Sequence, residues 1–221
     1  MRTQSTSNET IEMYLKTIAE LGNDGAPVVI ARLAERLGVT AVSANEMMKR
    51  LGEQGFVEHV RYKGVTLTEN GRYIAHNVIR RQRLWERFLV DHLKMEWSGV
   101  YEMACRLEHA TSNVLAEALS AYLGHPTTCP HGGPIPNCDG SLPEMSKRPL
   151  TTLRVGEKGA IHSIQPTTTD VYAYLNRYQV LPNRDFKVSE IAPMQGPITL
   201  DMASGKVALG RSMAELVWVT A

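Results

Sequence analysis

Apolar positions recur with a helical period through the first half of the chain and give way to short β-type runs from Leu150 onward. Residues 8–22 (NETIEMYLKTIAELG) predict a helix whose stripe is Ile11, Leu15 and Ile18, flanked by Tyr14 and Leu21. Met13 departs from that stripe. At roughly 100° per residue it lies about 200° from Ile11, an apolar side chain on the polar side. Residues 28–37 predict a second helix, stopped by Gly38. A third starts at Thr40 or Ala41 and runs to about Gln54, with Gly55 as its stop. Ala44, Met47, Met48 and Leu51 face inward along it, and Ser43, Glu46, Lys49 and Arg50 share the outer face. FVEHVRYKGVTLT then reads as two short strands around Tyr62-Lys63-Gly64. Two short helices with a tight turn, then a hairpin, predict a winged helix-turn-helix; the plainer alternative is a three-helix bundle.

From Asn70 to about His92 the pattern predicts a long helix with Arg80, Arg81, Arg83 and Arg87 crowded in its middle. A second helix is predicted over about 98–109 and a third over about 112–124. In the latter, Val114, Leu115, Ala118, Leu119 and Tyr122 make one apolar face, either bundle core, the commoner use, or a dimer seam. Residues 125–149 (HPTTCPHGGPIPNCDGSLPEMSKRP) are rich in turn formers and read as a linker that carries Cys129, His131 and Cys138. GAIHSI, DFKVSEI, PITLDM, KVALG and LVWVT follow as short strands, interrupted by one short helix, DVYAYLNRY, and suggest a small barrel.

Composition narrows the function. The 221 residues are 43% hydrophobic and 21% charged with net charge +1, so a packed core is expected and no bulk field attracts nucleic acid. The first 70 residues carry 8 Lys/Arg against 9 Asp/Glu, so any DNA contact rests on local placement. Lys49 and Arg50 on the third helix, with Arg61 and Lys63 on the hairpin, are the phosphate candidates. The N-terminus lacks an apolar signal core and no run is long enough to span a bilayer, which argues for a cytoplasmic protein without membrane contact. Three cysteines argue against a disulfide framework and leave thiols for metal. No Ser-His-Asp order or phosphate-cradling glycine loop is present, so neither catalysis nor a small organic substrate is expected.

Cys105, Glu108 and His109 stand at i, i+3 and i+4 of the 98–109 helix, with Val100, Ala104 and Leu107 on its core side. Thiolate, carboxylate and imidazole from adjacent turns suit a transition metal, although such a triplet is also compatible with a small buried Cys and a surface Glu-His pair.

The winged helix, TIEMYLKTI before it, ACRLEH after it and the C-terminal strands resemble, over essentially the whole chain, the diphtheria-toxin-repressor family of metal-dependent transcriptional repressors. The closing A-x-L-V-W-V is similar to that family's SH3-like domain. The resemblance implies an α+β protein of three parts: a winged helix-turn-helix over 1–72, an all-α metal-binding and dimerisation domain over 73–146, and an SH3-like (FeoA-type) domain over 147–221. It implies a regulatory metal site at Met13, Cys105, Glu108 and His109, which accounts for the odd position of Met13. Two sulfur donors favour Fe²⁺, or Co²⁺ and Ni²⁺ in vitro, whereas manganese-type members carry carboxylates there.

At the second site of the iron-type members two histidines correspond to Gln82 and Tyr101 here, and Glu86 alone of that helix is kept. CPHGGPIP instead resembles a motif of manganese-type members and implies a second, ancillary set of Glu86, Cys129, His131 and Asp170. The bland alternatives for CPHG are a linker turn or a zinc clip using Cys138.

The resulting expectation is a homodimeric repressor sensing Fe²⁺ or Mn²⁺, with two metal sites per chain that also accept Zn²⁺ or Cd²⁺. It would bind palindromic operator DNA through Thr40, Ser43, Glu46, Lys49, Arg50, Arg61 and Lys63. A metal-trafficking or storage protein that uses the same helices for protein contacts is the rival, and a metallohydrolase with Glu108 as base is a weaker one.

Overall fold

A computed structural model of the protein describes residues 2–22, 25–143 and 146–220, with side chains of the first helix from Asn8 onward. The chain forms two compact units, Met1–Arg81 with Pro136–Leu142, and Gln82–Ile135 with Pro143–Ala221.

The first unit opens with α1 (Arg2–Gly22), which begins before the stripe that predicts it, followed by α2 (Ile30–Leu37) and α3 (Ala41–Glu53). Tyr14, Leu15, Ile18, Leu33, Ala44, Met48 and Leu51 are buried together. Val28 was expected in the second helix. It instead pairs with Val65 as an isolated bridge, N–H to carbonyl in both directions at 2.8 and 3.0 Å, and the helix starts only after the extended Val29. Gly38 closes α2 in the left-handed conformation. Thr40 caps α3, its hydroxyl oxygen accepting from the Ser43 N–H at 3.1 Å.

The hairpin β1 (Val57–Val60) and β2 (Gly64–Leu67) pairs in antiparallel register from Val57↔Leu67 to Val60↔Gly64, leaving Arg61, Tyr62 and Lys63 as its loop. Gly64 is required there. Its φ is +113°, and a Cβ would lie 2.0 Å from the Val28 carbonyl oxygen. Tyr62 also has a positive φ, +62°, which costs a non-glycine residue about 1–2 kcal/mol.

α4 (Glu69–Asp91) follows, and its first half belongs to this unit. There His76 Nδ1 meets the Gly140 carbonyl at 2.6 Å and Arg80 donates to the Pro136 carbonyl at 2.9 Å.

The second unit holds the rest of α4, then α5 (Val100–His109) and α6 (Asn113–Tyr122). Arg83 donates to the Pro134 carbonyl and Arg87 to that of Thr128, the latter at 3.1 Å. The predicted linker is therefore a strap over its 128–140 stretch, fastened in each unit by cationic side chains of α4. This accounts for Arg80, Arg83 and Arg87 in the crowded stretch, while Arg81 pairs with Glu12 at 2.8 Å. Apart from Leu119, the stripe on α6 is not core. Val114, Leu115, Ala118 and Tyr122 are exposed, and the buried side is Ala116, Leu119 and Ser120.

β3 (Arg148–Pro149), β4 (Lys158–Ile164), β5 (Asp185–Ile191), β6 (Ile198–Met202), β7 (Gly205–Leu209) and β8 (Val217–Thr220) form one antiparallel sheet in the order β3-β8-β4-β5-β6-β7. Bulges between Ile161 and Ser163 and between Val188 and Glu190 bend it. α7 (Thr169–Arg177) covers one face through Tyr172 and Leu175, packed on Ile161, Phe186, Val188, Leu200 and Val217. α8 (Arg211–Ala214) leads into the last strand. Among the described residues no helix is long and apolar enough to cross a membrane.

Candidate metal centre and nucleic-acid face

Glu86 projects from α4, one turn after Gln82, into the buried interior of the second unit. Cys129 and His131 approach it from the strap, whose turn is closed by the Gly132 N–H donating to the Cys129 carbonyl at 2.9 Å and by the Cys129 N–H donating to Gly133 at 2.9 Å. Side chains two residues apart thereby turn to one side. One oxygen of Glu86, the Cys129 sulfur and one His131 nitrogen lie within 4.8 Å of one another, all three residues buried. Among the described residues this is the group of His, Cys, Asp and Glu that meets that criterion.

Hydrogen bonds define the chemistry of the cluster. His131 Nε2 lies 3.1 Å from the Trp97 carbonyl oxygen, which only accepts, so Nε2 carries a proton. Nδ1 faces Glu86 Oε2 at 3.0 Å. It either donates a proton there or, once that proton is lost, offers a lone pair beside a carboxylate and a sulfur. A carbonyl holding the distal nitrogen of a metal-binding histidine is the usual outer support of such a ligand. Glu86 Oε1 accepts from Gln82 Nε2 at 3.0 Å. Burial pushes the Glu86 carboxyl up, but the His131 charge, hydrogen bonds from His131 and Cys129, and the Arg83 charge outweigh it and hold it below the ordinary carboxylate range. Burial, then the negative charge of Glu86, push the Cys129 thiol well above the ordinary thiol range.

A cavity of about 10 Å³ lies among Gln82, Glu86, Tyr101, Cys129, His131 and Tyr172, the size of one ion or water. The oxygen, nitrogen and sulfur donors around it fit a first-row transition ion. The Tyr172 ring packs on His131 with centroids 4.3 Å apart, and the Trp97 ring lies 4.6 Å from His131 and 5.3 Å from Tyr172, so the three rings form one cluster. Gln82, Trp97 and Tyr172 were not read as supports of this cluster. Of these, only the i, i+4 spacing of Gln82 and Glu86 left a trace in the sequence.

Asp170 is not brought in. It is exposed on the first turn of α7, whereas the buried Tyr172 two residues on faces the cluster; positions i and i+2 lie about 200° apart on a helix. Cys138 is exposed and outside the cluster.

The other predicted ligands fall in separate units. Met13 is half-buried on α1 in the first unit, its carbonyl accepting from the Thr17 hydroxyl at 2.7 Å. In the second unit Cys105 and His109 are half-buried on α5, and Glu108, expected on the flank, is fully buried at 0% exposure. The reason is that Val100, Ala104 and Glu108 form one i, i+4, i+8 row, which is the buried side of this helix, while Leu107 is half-buried. His109 Nε2 stands 3.6 Å from Glu108 Oε1.

On the first unit Thr40, Ser43, Glu46, Lys49 and Arg50 are all exposed along α3, as are Arg61 and Lys63 on the hairpin. An exposed, capped helix followed by a hairpin, with a buried N/O/S cluster in the same chain, is the arrangement expected of a metal-responsive DNA-binding regulator.

Family comparisons agree. The iron dependent repressor N-terminal DNA binding domain matches residues 7–65, the iron dependent repressor metal binding and dimerisation domain matches 68–137, and the FeoA domain matches 148–221. The chain is 33% identical over 227 residues to the iron-dependent repressor IdeR of Mycobacterium tuberculosis, covering 96% of each. It is 35% identical over 131 residues to the diphtheria toxin repressor of Corynebacterium diphtheriae, covering 59% of this chain and 58% of that one. A manganese-dependent transcriptional repressor in complex with manganese superposes with a TM-score of 0.86 at 36% identity, covering 96% of this chain and 99% of that one. The chain belongs to the iron-dependent repressor family of metal-dependent transcriptional repressors.

Proposed function

We propose that the protein is a homodimeric repressor that Fe²⁺ or Mn²⁺ activates to bind palindromic operator DNA and so to control metal-homeostasis genes. The observation that carries this reading is the buried Glu86–Cys129–His131 cluster, built in a chain that also presents α3 and the hairpin to solvent. Relatives at similar identity are named for iron and for manganese, so both ions enter the proposal. Reading the cytoplasm as its place follows from operator binding.

For the regulatory ion we propose Met13, Cys105, Glu108 and His109 as ligands. The support is the donor chemistry, two sulfurs with one oxygen and one nitrogen, together with the family resemblance. For the ancillary ion the proposal is Glu86, Cys129 and His131, with Asp170 joining only if α7 turns it inward. A bound ion supplies a cross-link among these donors. Glu86 contributes a carboxylate already ionised by its neighbours, His131 a lone pair oriented through Trp97, and Cys129 a thiol that loses its proton on binding. The strap that carries Cys129 and His131 is also pinned to β4, where the Ile164 N–H donates to the His131 carbonyl at 2.9 Å. Filling this cluster would therefore stiffen α4 against the C-terminal sheet. With the regulatory ligands satisfied, the conformation whose two α3 helices reach adjacent major grooves, about 34 Å apart, becomes the dominant population.

The test is a DNA-binding titration with Fe²⁺ and Mn²⁺ under anaerobic conditions, on the natural chain and on Glu108→Ala. The natural chain should bind a palindromic duplex only with metal, and Glu108→Ala should lose metal-dependent binding while keeping its helical circular dichroism. Metal-independent binding, or full metal dependence in the variant, overturns the proposal.

A further inference from the structure

The hairpin tip carries a residue that the strand pattern does not account for. Tyr62 is 91% exposed, so it packs into no core. Its φ of +62° falls where glycine or asparagine is the ordinary choice in a turn whose Lys63 N–H donates to the Val60 carbonyl at 3.0 Å. A large aromatic kept in a strained, solvent-exposed position points to a contact outside the fold.

Its immediate neighbours indicate what that contact is. Arg61 and Lys63 flank it, both exposed. The Arg61 guanidinium lies over the Tyr62 ring, 4.8 Å from its centroid, and its Nη2 donates to the Tyr62 hydroxyl at 2.8 Å. Because the phenol oxygen accepts from a cation, its own hydrogen remains to donate and is made a stronger donor. One aimed hydroxyl donor between two cations matches a phosphate oxygen of a polyanionic backbone.

We infer that Tyr62 is a DNA-contacting residue: with the hairpin on the duplex, its hydroxyl donates to a phosphate while Arg61 and Lys63 neutralise the phosphates on either side. This rests on the DNA-binding reading above. It adds a neutral, geometrically aimed contact to the charged ones and explains why a strained tyrosine stands where glycine would be more comfortable.

The experiment uses the full metal-loaded chain and a duplex that the natural protein enriches from a random-sequence library. Affinity, its salt dependence and thermal stability are measured for the natural chain, Tyr62→Phe and Tyr62→Gly. Tyr62→Phe keeps the ring and the backbone strain. It should bind roughly tenfold more weakly with an unchanged salt slope, because no charge is lost. Tyr62→Gly should melt at a higher temperature yet bind at least as weakly as Tyr62→Phe. Stability and affinity moving in opposite directions is a signature that a merely structural tyrosine does not give. If both variants bind like the natural chain, the inference fails while DNA binding stands. If the natural chain enriches no duplex in the presence of metal, both fail together.

Discussion

The carbonyl oxygen of Trp97 stands 3.1 Å from Nε2 of His131 and thereby assigns the other ring nitrogen, Nδ1, to the cluster with Glu86 and Cys129. A site with its histidine oriented in advance binds without first ordering that ring. The expected outcome is about two ions per chain for the natural protein, and about one for the Cys129→Ala, His131→Ala double variant. Because an ion at that cluster would add a tie to the strap beyond the hydrogen bonds from Arg83 and Arg87, the double variant should also be cut sooner by protease within 125–149. Elemental analysis after dialysis, with limited proteolysis of the metal-loaded chains, measures both. Equal stoichiometry and equal cleavage would remove the ancillary assignment.

Gly132 tests the same strap through packing. Its φ is +80°, and a Cβ there would lie 2.1 Å from the His162 carbonyl oxygen and 2.8 Å from the Ser163 Cα. Both are backbone atoms of β4, so no flexible side chain is there to give way. Gly132→Ala should lower unfolding stability by about 1–3 kcal/mol and weaken the ancillary ion, since the His131 carbonyl is fixed to β4 beside it. Denaturant unfolding of the metal-free and metal-loaded chains separates the two effects, and an unchanged midpoint in both would show that the loop has room.

Much of this was legible in the sequence, but for unequal reasons. Helix stops at Gly38 and Gly55 and the cap at Thr40 are local, so the residues alone reveal them. Val28 was misread because its partner, Val65, is distant in sequence and a bridge leaves no periodic trace. The α6 stripe was legible as a stripe; what covers it was not, because periodicity gives the face of a helix and not its neighbour. Glu108 shows the same limit, since an ionisable residue in the buried row reads as flank until the packing is known. Glu86 meets Cys129 and His131 across 43 and 45 residues, so no spacing rule joins them and only the family motif did. That motif also suggested Asp170, which the phase of α7 turns away from the cluster.

Charge and sequence reading should separate on the DNA face. Lys63 is exposed at the hairpin tip and Glu46 on the outer face of α3. Lys63→Gln should weaken all duplexes alike and reduce the salt slope by about one, whereas Glu46→Gln should change which bases are preferred at one position of each half-site. Fluorescence anisotropy across a salt series and a panel of single-base variants measures both. A Lys63→Gln chain with altered preference and an unchanged slope would reverse the two roles.

The exposed side of α6 offers the most direct check on oligomeric state. Val114 is 82% exposed and Leu115 44%, on a helix within the matched metal binding and dimerisation domain. Neither supports the core of its own unit, so a charge there need not disturb folding of the single chain. Across a symmetric dimer seam the same charge is introduced twice and desolvated twice. Leu115→Glu should therefore raise the dimer dissociation constant by at least roughly a hundredfold, the scale of losing a well-buried interface contact. The Glu86–Cys129–His131 cluster should keep its ion, because α6 presents Leu119 rather than Leu115 to the small core that Cys129 shares. DNA binding should fall with dimerisation, since one α3 alone reaches only half of a palindrome. Sedimentation velocity over a concentration series, with metal content measured on the same samples, gives the answer. A Leu115→Glu chain that stays dimeric and keeps full operator affinity would move the seam away from this face.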